Sequence, residues 1–187
     1  IGTSTNIIRD HISGLKYNST FDSYDKGITY FGQPAILRCD ENGGWHIIKT
    51  AKVLEAVETA GKIIKVAKNH LFAIGDFVTV GGKFDGASDK ITAIDKSNAA
   101  YDSITLAAAI GAMAKDMVLV AVKSKADAGS AEATVETSEV VITMAKVDLT
   151  VANQSCGLMV RGTIEERNMP FPLDADLKKL MPLIRFV

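Results

Sequence analysis

The sequence predicts a mainly β protein: a small antiparallel barrel or sandwich unit, plus a second β region carrying a short helix near the C-terminus. Three observations lead there. Short runs rich in Val, Ile and Thr recur between residues 61 and 122 at roughly ten-residue spacing, separated by Gly, Asn, Asp and Ser, the pattern of strands joined by tight turns. Convincing helical periodicity is confined to one stretch, where Leu177, Leu180 and Met181 fall on one face. Hydrophobic residues make up 47% of the 187, enough for a packed core and too many for a disordered chain.

Taken in order, residues 1–30 are polar and turn-rich and read as an extended N-terminal arm. A short strand follows at Ile28–Phe31. "QPAILRCD" is a strand ended by the turn signal "ENGG", and "WHIIKTAKV" resumes the β pattern with Trp45 and Ile47 alternating. "KVLEAVETAG" fits either a helical turn or an irregular strand. The clearest unit comes next. "KIIKVAK" places Ile64 and Val66 on one face; "FVTVGG" starts with Phe77 and Val78; "DKITAID" alternates Ile91, Ala93 and Asp95 with Thr92 and Ile94; "SITLAAAIG" and Val118–Val122 complete five strands. The Ala-rich stretch Ala107–Ala114 is expected to form one helical turn closing the barrel mouth.

"KNHLFAIGDFVTV", Lys68–Val80, poses the question of a His/Asp site. Its spacing reads instead as the corner of a small barrel. Leu71, Phe72 and Ile74 plug the connection, Gly75 supplies a turn conformation that a Cβ would oppose, and the Asp76 carboxylate satisfies turn amides.

Residues 126–134 are small and polar and read as a linker. β pattern returns at Val140–Met144, Val147–Val151 and "CGLMVRGTIEE". Pro170 and Pro172 hold an extended approach to a short helix capped by Asp174, which Pro182 stops. "LIRFV" ends the chain as a strand too apolar to be left wet, docked either in its own sheet or on a partner, and Leu183, Ile184, Arg185, Phe186 and Val187 are the candidate partner-contacting residues. The expected organisation is a discontinuous β domain from 28–60 and 135–187, with 61–125 inserted as a small barrel.

Composition removes several functions. A net charge of -1 and a pI near 6.3 leave no basic surplus for nucleic acid or an anionic membrane. The longest apolar runs fall well short of the ~20 residues of a spanning helix. Aromatic content of 6% is low for a base-stacking or sugar-binding platform. His11, His46 and His70 are isolated, without HxH or HExxH spacing, so no metal site is expected. Cys39 and Cys156 lack a CxxC partner and read as two separate buried thiols, with one disulfide between them as the alternative. No GxSxG or phosphate loop is present, and "GGKFDGAS" reads as a hairpin loop. Glu165 and Glu166 are adjacent, so on a strand they face opposite sides and do not converge on one bond. No catalytic residue and no cofactor are therefore expected, and the profile is that of an interaction or assembly protein.

Two stretches carry a resemblance. "IIKVAKNHLFAIGDFVTV" (Ile63–Val80) with "KITAIDKSNAAYDSITLAAAIG" (Lys90–Gly111) resembles a segment recurrent in structural proteins of tailed bacteriophages. "GLMVRGTIEERNMPFPLDADLKKLMPLIRFV" (Gly157–Val187) is similar to the C-terminal segment of phage head fibre or capsid decoration proteins. Together they span about half the chain. The resemblance implies a non-enzymatic virion protein, made in the bacterial host cytoplasm and located on the outer capsid surface. It implies binding to the major capsid protein and homo-oligomers, a trimer being one form, with 28–60 and 135–187 as the capsid-proximal domain. Such a protein stabilises a shell because it binds assembled capsid better than free subunits, in many copies at once. The alternative is a carbohydrate- or host-receptor-binding module on the particle, with Phe72, Phe77, Phe84 and Tyr101 of the inserted unit as its aromatics. A hydrolase built on His70 or Cys156 is a third class.

Overall fold

The computed structural model describes residues 3–8, 30–31, 34–39, 45–80, 86–127, 140–144, 147–148 and 154–187. In chain order the strands are β1 (Thr3–Ile8), β2 (Tyr30–Phe31), β3 (Ile36–Cys39), β4 (Trp45–Ile47), β5 (Thr50–Lys52), β6 (Ile63–Val66), β7 (Phe77–Val80), β8 (Asp89–Asp95), β9 (Asp102–Leu106) and β10 (Val118–Val122). They continue with β11 (Val140–Thr143), β12 (Val147–Asp148), β13 (Gln154–Met159), β14 (Gly162–Ile164) and β15 (Ile184–Phe186). Among the described residues one α-helix, α1, spans Ala175–Lys179, after a 3-10 turn at Glu166–Asn168. The protein is thus mainly β, with antiparallel sheets and a short helix near its C-terminus.

The chain forms two compact units. Unit 1 gathers Ile1–Ile48, Glu136–Phe171 and Leu177–Val187; unit 2 gathers Lys49–Val135 and Pro172–Asp176. The first boundary therefore falls at Ile48/Lys49 and not near Gly61. The reason is pairing: β5 lies antiparallel to β10, with Lys52 opposite Val118 and Thr50 opposite Val120, which commits residues 50–52 to unit 2.

Unit 1 is built on a five-stranded antiparallel sheet ordered β1-β13-β11-β3-β4. Part of the expected arm belongs to it, because β1 runs along β13 from Thr3 opposite Met159 to Ile8 opposite Gln154. Residues 9–29 lie outside the described residues. All four residues of β11 are buried, as are Ala35, Ile36, Leu37, Ile47 and Leu158. A run buried on both faces replaces alternation here, as in a central strand covered on each side. "CGLMVRGTIEE" is two strands rather than one: the chain breaks pairing at Val160–Arg161 before β14 begins. The terminal "LIRFV" does end as a strand. β15 pairs in parallel with β14, Gly162 opposite Ile184 and Ile164 opposite Phe186.

Unit 2 is a six-stranded antiparallel sheet ordered β5-β10-β7-β8-β9-β6. It curls until its two edges meet at one bridge, Val53 opposite Val66, held by Leu54 N–H to Lys65 O (2.9 Å) and Ala67 N–H to Lys52 O (3.0 Å). The ladder does not run on beyond that bridge, so the sheet curls without closing into a full barrel. Val53, Ile64, Val66, Val78, Ile91, Ile104, Leu106 and Val118–Val122 form the core. In β8 the expected alternation fails past Ile91. Ile91 faces Leu106 while Ala93 faces Thr105, so Thr92 is an extra residue, a β-bulge that reverses the phase. Ala93 is exposed and Ile94 half-buried as a result.

The Ala-rich stretch forms no helical turn. Gly111 takes φ +104°, which breaks helical continuation, and Met113 instead bridges Val57 through paired backbone hydrogen bonds of 2.9 and 2.8 Å. Ile110 and Met113 are buried as irregular strand. Val57 likewise settles "KVLEAVETAG" as irregular strand. Asp174 caps α1, accepting the Asp176 N–H at 2.7 Å; of the expected face Leu177 and Met181 are buried and Leu180 is half-buried, the last two lying just past the helix end. Of the expected linker, Ala126 bridges Ser88, and residues 128–134 lie outside the described residues.

Candidate functional site

A cluster of polar side chains gathers at the corner joining β6 to β7. Its backbone is set by two positive φ angles, Asn69 at 63° and Gly75 at 104°. Asn tolerates the left-handed region better than most residues, and Gly75 meets nothing within 4 Å of a hypothetical Cβ, so backbone torsion and not space selects glycine there. The turn itself closes with Asp76 N–H to Ala73 O (3.2 Å) and is pinned to β8 by Gly75 N–H to Ile91 O (2.9 Å) and Ile91 N–H to Asp76 O (2.8 Å).

His70 and Asp76 sit in the same corner but do not pair. His70 partners Asp102 of β9: its Nε2 faces Asp102 Oδ2 at 3.2 Å, too obliquely for a well-directed hydrogen bond. Its Nδ1 accepts the Phe72 N–H at 3.2 Å, which puts the proton of the neutral ring on Nε2. Lys68 Nζ donates to the other Asp102 oxygen at 2.6 Å and to Lys96 O at 3.1 Å. Burial pushes the imidazole below its ordinary value; Asp102 opposes that, and Lys96 and Lys68 add to it. A general base needs a ring nitrogen with an available lone pair. The only such lone pair on His70 is held by a backbone amide, so the ring works as a turn acceptor.

Asp76 instead meets a residue that sequence reasoning did not connect to it. Lys49 Nζ lies 2.7 Å from Asp76 Oδ2, with side-chain exposures of 0% and 2%. The same oxygen accepts the Ala73 N–H at 2.8 Å, so the turn-amide role expected of Asp76 is present and shared with a buried ion pair. The available signal was a lysine inside the apolar run "WHIIKTAKV". The expected plug is also revised. Phe72 is buried and Leu71 half-buried, but Ile74 is 58% exposed, because it rides on the tip of the turn.

At the C-terminus, Ile184 is buried and Phe186 half-buried under the Lys178 ammonium, 5.7 Å from the ring centre. Arg185 is exposed, and Leu183 and Val187 are 63% and 56% exposed. Glu166 N–H to Val187 O (2.8 Å) and Val187 N–H to Ile164 O (2.9 Å) fasten the last residue, so these apolar side chains are presented on an ordered ribbon. Unit 1 also holds an open apolar recess of about 300 Å³, lined by Pro34, Ile142, Thr143, Met144, Met159 and Ile164.

The other sequence candidates are placed as follows. Glu165 accepts from Arg167 (3.0 Å) and Asn168 (2.8 Å), and Glu166 from Lys178 (2.6 Å), so each acid serves its own cation. Tyr101 is half-buried with Lys65 Nζ 4.9 Å from its ring centre, and Phe77 is half-buried. His46 is buried in β4. His11, Phe84 and the side chains of Cys39 and Cys156 lie outside the described residues. Among the described residues no three His, Cys, Asp or Glu converge as a metal-ion site, and no helix is long and apolar enough to cross a membrane. No protein-family model, curated protein or solved structure matches the chain.

Proposed function

We propose that this chain is a virion structural protein without catalytic function, an auxiliary decoration or head-fibre protein that binds the major capsid protein on the outer shell in many copies. The observation that carries the reading is the C-terminal ribbon. β14 and β15 form a two-stranded sheet with no third strand among the described residues, and Leu183 and Val187 stand exposed on it. Two strands are marginal alone, and parallel pairs are ordinarily covered on both faces. A ribbon of this kind gains stability when a partner covers it. The open recess ends at Ile164 of β14, so an apolar partner surface has somewhere to insert, and its two methionines adapt to shape. The resemblance of Gly157–Val187 to decoration and head-fibre proteins points the same way.

The test is co-sedimentation of the purified full chain with shells assembled from the major capsid protein of the phage that encodes it. Wild type should saturate the shells. Leu183→Asp/Val187→Asp should bind at least tenfold more weakly with an unchanged melting curve, since each apolar side chain newly buried contributes about 1.5–3 kcal/mol. Wild-type chain that leaves the shells bare overturns the reading. Normal binding by the double variant overturns the assignment of the contact to the C-terminus.

A further inference from the structure

We propose that Lys49 and Asp76 become joined by an intramolecular amide bond, an isopeptide cross-link within unit 2. The reactants are a primary amine and a carboxyl group whose nearest atoms are 2.7 Å apart, and water reaches neither. Both are held from their own backbones. Lys49 O accepts the Ala121 N–H at 2.9 Å, and Thr50, the next residue, begins β5 and donates its hydroxyl to Pro172 O at 2.7 Å. Asp76 is tied through its N–H to Ala73 and through its carbonyl to Ile91. The encounter is therefore preorganised, the condition under which an intramolecular reaction gains most over the same groups free in solution.

The interior also favours the reactive form. An ion pair buried without water loses the solvation that makes charge cheap. Passing one proton along the 2.7 Å contact yields a neutral amine and a carboxylic acid, the pair that can condense. The Nζ lone pair then adds to Cγ, and the displaced electron pair moves to Oδ1. The Oδ2 hydroxyl, which the Ala73 N–H holds at 2.8 Å, takes a second proton from Nζ and leaves as water, and the carbonyl reforms at Oδ1. One N–C bond forms, one C–O bond breaks, one water is released, and nothing is oxidised or reduced. The product exchanges a buried ion pair for a neutral amide. The link would close a covalent loop between residues 27 apart in sequence and fasten the first residue of unit 2 to the turn ahead of β7.

The experiment is intact-mass measurement of the denatured full-length protein, with tandem mass spectrometry of its tryptic digest. The expected result is a chain lighter than its sequence by one water, and a branched peptide joining the Lys49 and Asp76 segments that trypsin does not cut after Lys49. Lys49→Arg should restore the full sequence mass, since a guanidinium does not condense. Asp76→Asn should lose ammonia in place of water. A wild-type chain at its full sequence mass, with separate Lys49 and Asp76 peptides, overturns the proposal and leaves an ion pair alone. So does a water loss that persists in Lys49→Arg. Because the branched peptide is sought in wild-type protein, the result does not depend on any variant folding.

Discussion

Replacing Asp102 by alanine gives the most informative test of the β6–β7 corner. The carboxylate is 4% exposed and serves two partners, Lys68 at 2.6 Å and His70 at 3.2 Å. Its loss has unequal consequences for them. Lys68 keeps 30% exposure and can turn to solvent, so that arm is worth only about 1 kcal/mol despite its short distance. His70 is 1% exposed, and its Nε2–H, already poorly aligned on Asp102, loses only a weak contact of about 0.5–1 kcal/mol. The sum is about 1.5–2 kcal/mol, or a melting temperature lower by about 3–8 °C for a chain of this size. pH supplies a second, independent reading. Burial holds the folded imidazole below its ordinary value of 6.5, so below that pH the unfolded chain takes up a proton that the native chain refuses. The stability present above pH 6.5 is therefore lost as pH falls, down to the lower folded value. Asp102 is the group that limits this depression. Without it the loss continues to lower pH, and the gap between wild type and variant should widen from pH 7.5 to pH 5. Urea unfolding across that range measures both effects. A loss under about 0.5 kcal/mol at pH 7.5, or a gap that stays constant with pH, refutes the account.

His70→Asn should keep the acceptor for the Phe72 amide, since Asn Oδ1 stands in the place of Nδ1, while removing the titration; its stability should be flatter than wild type between pH 7 and pH 5, and an unchanged slope counts against His70 as the titrating group. Gly75→Ala should destabilise by about 1–2 kcal/mol through backbone strain alone, because the space around a Cβ is open; a neutral urea midpoint would show that the φ of +104° is not enforced. Thr143→Val should cost about 1–3 kcal/mol by orphaning the buried Ala35 N–H, which the Thr143 hydroxyl accepts at 2.9 Å, and should speed hydrogen exchange at that amide.

Local chemistry was legible in the sequence, and cross-strand pairing was not. Asp174, Leu177 and Met181 behave as their spacing says because a short helix is decided within a few residues. Gly75 and Asp76 read correctly as a turn for the same reason. Lys49 was invisible as Asp76's partner because the two lie 27 residues apart, and only the path of the sheet brings them together. The bulge at Thr92 escaped too. An extra residue in one strand leaves no mark in that strand's own pattern and is defined only against Leu106 and Thr105 opposite. The helical turn expected at Ala107–Ala114 shows propensity losing to context. Alanine favours helix, but the paired hydrogen bonds of Met113 with Val57, together with Gly111 at φ +104°, hold the chain extended. For the C-terminal strand, β14 is the partner within the chain, and Leu183 and Val187, which flank the paired residues Ile184–Phe186, stay exposed.

The way unit 2 interrupts unit 1 also sets a timetable for synthesis. All six strands of the curled sheet lie between Thr50 and Val122, so it can be assembled as soon as that contiguous stretch has left the ribosome. The five-stranded sheet has no such freedom. β3 waits for β11, with Arg38 opposite Val140, and β1 waits for β13, with Thr3 opposite Met159. Those pairings close loops of more than a hundred residues, the slowest kind of contact to form. β3 can pair with β4 at once, Leu37 opposite Ile47, but its other edge and the whole of β1 wait for strands that follow unit 2 in the chain. A protein laid out in this order needs its inserted unit to fold early, because each residue condensed there shortens the distance the outer strands must still bridge.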